Sequence, residues 1–144
     1  MPTLLHLDSS PLESSISREL TREFVKTWKA AHSEGIVIDR DLAAHPPKPL
    51  DALWIGSNFA PETSRKLEQK AALALSDALI AELETADEYV IGVAMHNFGI
   101  PTVLKLWIDQ VARGGRTFTY NETGIQGLLK GKKATVAIAT GGVY

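Results

Sequence analysis

The sequence contains no cysteine. That excludes disulfides, thiolate nucleophiles and Cys-ligated metals, and it agrees with a reducing compartment. No segment reaches the roughly 18 consecutive apolar residues of a membrane-spanning helix. The start, Met1-Pro2-Thr3-Leu4-Leu5-His6-Leu7-Asp8, lacks both the basic opening and the long apolar run of a signal peptide. A cytoplasmic protein is therefore expected. There is no block of like charge either. Lys and Arg number 15 against 17 Asp and Glu, a net charge of −2, so neither nucleic acid nor a membrane is an expected partner. Two phosphate-binding signatures are missing: no G-x-G-x-x-G follows the first apolar run, and no G-x-x-x-x-G-K-[ST] occurs anywhere. Repeats and low-complexity tracts are absent as well.

What is present is an alternation of periods. A chain of 144 residues with 44% hydrophobic content can bury one core, so a single domain spanning 1–144 is expected. Thr3 to Leu7 reads as a strand, and Ile16, Leu20, Phe24 and Trp28 then recur at helical spacing until Gly35. Ile36-Val37-Ile38 is a second strand. The segment His45-Pro46-Pro47-Lys48-Pro49 is a loop, because proline removes donors and biases its neighbours to extended backbone. Pro61 opens a helical region reaching about Glu84, and Glu88 to Ala94 makes a third strand. Pro101 to Arg113 is a helix with Val103, Leu104, Trp107, Ile108 and Val111 on one face, which makes Trp107 a core residue. An irregular segment with Phe118, Tyr120 and Asn121 precedes a fourth strand, Ala134 to Ala139. Apolar strands bounded by helices are the pattern of a doubly wound parallel sheet with helices on both faces, and such sheets bind ligands at the carboxyl ends of their strands.

Three of those ends are polar or glycine-bearing. The first, Asp8 to Ser17, carries five hydroxyls ahead of a helix and no lysine or arginine before Arg18. One serine is enough to cap a helix, while five around its N-terminus can also donate to a phosphate monoester. The second is Met95-His96-Asn97-Phe98-Gly99. A turn accounts for Gly99 and the following Ile100-Pro101, but not for His96 and Asn97. A flat heteroaromatic ligand would use all of them, through backbone amides and the apolar surfaces of Met95 and Phe98. The third end is Thr140 to Tyr144, where Gly141 and Gly142 let backbone approach a ring edge. The third strand ends without a carboxylate, which argues against phosphoaspartyl chemistry.

Together these residues resemble the FMN-dependent NADH-azoreductases and their DT-diaphorase-like quinone reductase relatives, a family with a flavodoxin-like fold. The resemblance runs from the serine loop through Met95 to Pro101 and the Leu104-Lys105-x-Trp107-Ile108-Asp109 helix to Gly141-Gly142. It implies that Ser10 and Ser15-Ile16-Ser17 hold the FMN phosphate and that Met95, His96, Asn97, Phe98 and Gly99 line the isoalloxazine ring. It places Thr140, Gly141 and Gly142 at the pyrimidine edge and His96 on the substrate side, with Tyr120 covering the flavin from the neighbouring subunit or from the substrate side. His96 stands where tyrosine is common and Thr140 where arginine is common. The resemblance further implies a homodimer, NADH or NADPH as donor, and a quinone or azo compound as acceptor. It also implies a last strand and helix that the 144 residues do not contain. Amides from Asn97 to Gly99 are expected near N5 and O4, and glycine amides near N1 and O2. Two other functions stay open: a flavodoxin-type electron carrier, and a cofactor-free fragment acting only by association.

Overall fold

The computed structural model describes residues 1–143. The chain runs β1 (Thr3–Asp8), α1 (Ile16–Ala31), β2 (Ile36–Asp41), α2 (Ala52–Phe59), a 3-10 turn (Glu62–Ser64), α3 (Leu67–Thr85), β3 (Glu88–Ala94), α4 (Thr102–Val111), β4 (Phe118–Asn121), β5 (Gly124–Gly127) and β6 (Lys133–Ala139). The main sheet is parallel with strand order β2-β1-β3-β6, and β4 and β5 form a separate antiparallel hairpin.

Alternation along β1 divides the core between the two faces of the sheet. Leu5 and Leu7 point to one face, where they meet Leu79, Ile80 and Leu83 of α3 and Leu104, Trp107 and Val111 of α4. Leu4 points to the other and packs with Trp28 of α1 and Val90 of β3. Each leucine so buried contributes about 2 kcal/mol of transfer free energy. Trp107 belongs to this core, as its helical spacing suggests.

Four local features differ from the expectations. The helical region placed from Pro61 to Glu84 is interrupted: Pro61 is extended, and a separate helix, α2, precedes it, begun by Asp51, whose carboxylate accepts from the Trp54 amide. The segment read as irregular contains the β4–β5 hairpin, turning through Gly124 at φ 114. Both β1 and β2 run on into aspartates, Asp8 and Asp41, which face each other in register. In α1, finally, Ile16 and Leu20 are exposed, and the inner face of its first turns is Ser17, Arg18 and Thr21. A polar inner face has to be satisfied by other polar groups, and these lie at the strand ends.

Candidate functional site

All four strands of the main sheet are parallel, so their carboxyl ends share one edge of the molecule. Three loops leave that edge and are tied together there. The Ser9 hydroxyl is buried and donates to the Gly92 carbonyl of β3 at 2.6 Å, and the Met95 amide donates to the Ala139 carbonyl of β6 at 2.9 Å. The first link joins the serine loop to β3. The second joins the 95–99 loop to the Thr140-Gly141-Gly142 loop.

Within the serine loop, Ser15 is the N-cap of α1. Its Oγ accepts from the Arg18 amide at 3.2 Å and lies 3.3 Å from the Ser17 Oγ. Ser10 and Ser17 are buried, Ile16 is exposed, and the Ser10 Oγ accepts from the Leu12 amide at 3.2 Å. Ile16 and Ser17 supply the opening amides of the helix, which have no acceptor inside it. Arg18 turns away from solvent. Its Nε and Nη2 donate to the Ser10 carbonyl at 3.1 and 2.7 Å, and Nη1 and Nη2 form a two-pronged pair with Asp41 at 3.0 and 2.9 Å. Hydrogen bonding from Arg18 holds the Asp41 carboxyl below its ordinary value. The guanidinium is thus a strut behind the loop, and the groups left at the helix end are neutral hydroxyls and amides.

The 95–99 loop is a tight reversal in which His96 and Gly99 exchange amide-to-carbonyl hydrogen bonds of 2.9 Å. Asn97 (φ 49) and Phe98 (φ 65) occupy its two inner positions, both left-handed. The positive φ values fall on Asn97 and Phe98, and the Gly99 amide, expected to face a ligand, is committed to the turn. Met95 is partly buried, whereas His96, Asn97, Phe98 and Gly99 are exposed. A cavity of about 200 Å³ opens between this loop and the serine loop, lined by Ser9, Pro11, Ala43, His96, Pro101, Thr102 and Val103.

Thr140, Gly141 and Gly142 are exposed, with the Thr140 hydroxyl donating to the Gly142 carbonyl at 2.7 Å. A Cβ on Gly141 would meet nothing within 4 Å, so space is open there. Tyr144, the last residue of that sequence segment, lies outside the described residues. Tyr120 is elsewhere. It is 75% exposed on the β4–β5 hairpin, which follows the far end of α4 as the chain returns to begin β6. The structure brings the three loops together and leaves Tyr120 apart.

Several residues that build the site were not singled out from sequence. Gly92 is one: a Cβ there would sit 2.8 Å from the Asp8 Oδ1 and 2.9 Å from the Thr21 Cγ2. Ser9, Arg18, Thr21 and Asp41 are the others. The spacing of Ser17, Arg18 and Thr21 on one side of α1 was the available signal.

The groups present fit FMN: neutral donors at a helix end for a phosphate, and an adjoining cleft lined by His96 and Pro101 for a flat ring, with the exposed Phe98 and the open Gly141 backbone on neighbouring loops.

The sequence profile of a family described as having a flavodoxin-like fold matches residues 2–144. The chain belongs to this family. Among curated members, an FMN-dependent NADH:quinone oxidoreductase of Acidobacterium capsulatum is 67% identical over 144 residues, 100% of this chain and 70% of that protein. One of the same description from Nostoc punctiforme is 45% identical, covering 100% of this chain and 71% of the relative. Among solved flavodoxin-like structures, an azoreductase from Bacillus anthracis superposes with a TM-score of 0.91 at 30% identity, over 100% of this chain and 71% of that one. An FMN-dependent NADH-azoreductase from Bacillus anthracis, in complex with FMN, gives 0.88 at 25% identity, again over 100% and 71%.

Proposed function

We propose that this chain is an FMN-dependent NAD(P)H:acceptor oxidoreductase that reduces quinones and azo compounds by two electrons. The observation that carries the reading is the meeting of the serine loop, the His96–Gly99 turn and the Thr140-Gly141-Gly142 loop at one edge of the sheet. Relatives named for FMN, NADH and quinone, and structures named azoreductase, support it. They do not favour an electron carrier or a cofactor-free fragment.

Bound FMN supplies the chemistry, accepting hydride from reduced nicotinamide and passing two electrons to an acceptor. The chain's own part is binding and positioning. Ser10, Ser15 and Ser17, with the amides of Ile16 and Ser17, hold the phosphate, and Arg18 is kept out of that contact by Ser10 and Asp41. Met95, Asn97 and Phe98 line the ring, Gly99 closes their turn, and Thr140, Gly141 and Gly142 border its other edge. The His96 imidazole lines the cleft beside the ring, placed to give a proton to the reduced acceptor.

Residues 1–144 act as one FMN-binding domain of a cytoplasmic homodimer. The exposed Ile55 and Phe59, four residues apart on one side of α2, offer an apolar face for a second copy, from which Tyr120 would reach the partner's cleft. No helix among the described residues is long and apolar enough to cross a membrane. The test is NADH-dependent reduction of a quinone, with and without added FMN. Turnover that requires FMN supports the reading; FMN-independent turnover, or none in either case, overturns it.

A further inference from the structure

His6 occupies a place in β1 where an apolar residue would complete the α1 face of the sheet. Its side chain is 13% exposed. Nδ1 lies 2.8 Å from the Asp39 Oδ1 on β2, and Nε2 lies 3.0 Å from the Asp8 Oδ2, close enough for a strong charge interaction though not aligned as a hydrogen bond. Asp8 in turn accepts from the Thr21 hydroxyl of α1 at 2.8 Å and lies 3.7 Å from the Arg18 Nη1. Arg18 grips the Ser10 carbonyl and Asp41. An unbroken line of charges therefore runs from His6 through Asp8 and Arg18 to the back of the serine loop.

Two further cations lie around His6. Arg22 of α1 and Arg40 of β2 border the same hollow, but Arg40 is held by Glu82 of α3 at 3.1 and 2.6 Å. From β3, the residue opposite His6 in register is the uncharged Val90. Directly linked are the cations His6 and Arg18 and the anions Asp8, Asp39 and Asp41. That group carries one surplus negative charge with His6 protonated and two with it neutral. A surplus negative charge behind the loop opposes a phosphate in front of it.

We propose that His6 is a proton-dependent counter-charge that tunes how tightly the serine loop holds the phosphate of FMN. The inference rests on the assignment of that loop as the phosphate site. Burial lowers the His6 pKa, but the close carboxylate of Asp8, followed by that of Asp39, outweighs it and leaves the pKa above its ordinary 6.5. The proton is therefore held to higher pH than on a free imidazole, and phosphate binding weakens as it is lost. By reciprocity, bound FMN raises the His6 pKa.

The experiment titrates FMN and riboflavin into the wild-type chain and His6→Gln between about pH 6 and pH 9, followed by flavin fluorescence. The variant corrects for ionisation of the FMN phosphate itself. The wild type is expected to lose about fivefold more FMN affinity across the range than His6→Gln, with no such difference for riboflavin. As a measurement independent of the variant's folding, the NMR titration midpoint of His6 in the wild type is expected to move up on adding FMN. Parallel FMN profiles for the two proteins, or an unmoved midpoint, overturn the inference while leaving the phosphate site standing. Absence of FMN binding at every pH overturns both.

Discussion

His96 and Gly99 clasp each other at the mouth of the cleft, each amide donating to the other's carbonyl at 2.9 Å. The clasp holds Asn97 and Phe98 at φ 49 and 65. Asparagine tolerates the left-handed region, whereas an aromatic residue held there costs on the order of 1 kcal/mol. Phe98 is also 79% exposed, so it contributes little to the core. Such strain is retained where a side chain serves a ligand.

Phe98→Asn is therefore expected to keep or raise stability, by up to about 1 kcal/mol in urea unfolding, while weakening flavin and acceptor binding. Gly99→Ala should be mild, since its Cβ would meet only the His96 carbonyl, at an ordinary 3.7 Å. A clear loss of stability in Phe98→Asn would show that the ring packs the fold rather than serving the cleft.

The parallel sheet and the three loops were legible because each rests on a local pattern: short apolar runs, helical spacing, and polar or glycine-bearing strand ends. What was not legible depended on distant partners. Asp8 reads as the first loop residue and the second strand as ending at Ile38, yet Asp8 and Asp41 pair as strand residues, with Arg18 and Thr21 of α1 satisfying them. Ile16 and Leu20 read as core, yet the inner side of α1 belongs to the site. The start of α2 was hidden because its cap, Asp51, follows a proline-rich loop that suggests irregular chain. The left-handed pair Asn97-Phe98 was masked by the neighbouring glycine, the usual bearer of positive φ.

Gly92 makes the site possible from within β3. Gly92→Ala would force a Cβ against the Asp8 carboxylate and the Thr21 methyl at 2.8 and 2.9 Å, in a buried position. A cost of about 2 kcal/mol is expected, accompanied by weaker FMN binding, because Ser9 and Asp8 must shift together. Thermal unfolding and flavin titration of the same variant check this. Unchanged values in both would mean that the contact relaxes without disturbing the loop.

The Arg18 to Asp41 pair has a pH signature. The carboxyl of Asp41 lies below its ordinary 3.8 through hydrogen bonding to Arg18, so its contribution is fully present above that value and is lost as pH falls through the lower, folded-state value. Asp41→Asn should cost about 1 kcal/mol at neutral pH, a modest figure because the Asp41 side chain is partly exposed. The gap between wild type and variant should close in acid below that range. A gap that persists unchanged there would assign the cost to something other than the ion pair.

The central claim is that neutral donors of the serine loop hold the FMN phosphate, and the most direct measurement compares FMN with riboflavin on the wild type and on Ser15→Ala/Ser17→Ala. Loss of the Ser15 cap should cost only about 1 kcal/mol of stability, so the double variant remains folded. The wild type is expected to bind FMN far more tightly than riboflavin, and the double variant to lose most of that preference while binding riboflavin unchanged. A folded double variant that still prefers FMN to the same degree would contradict the account.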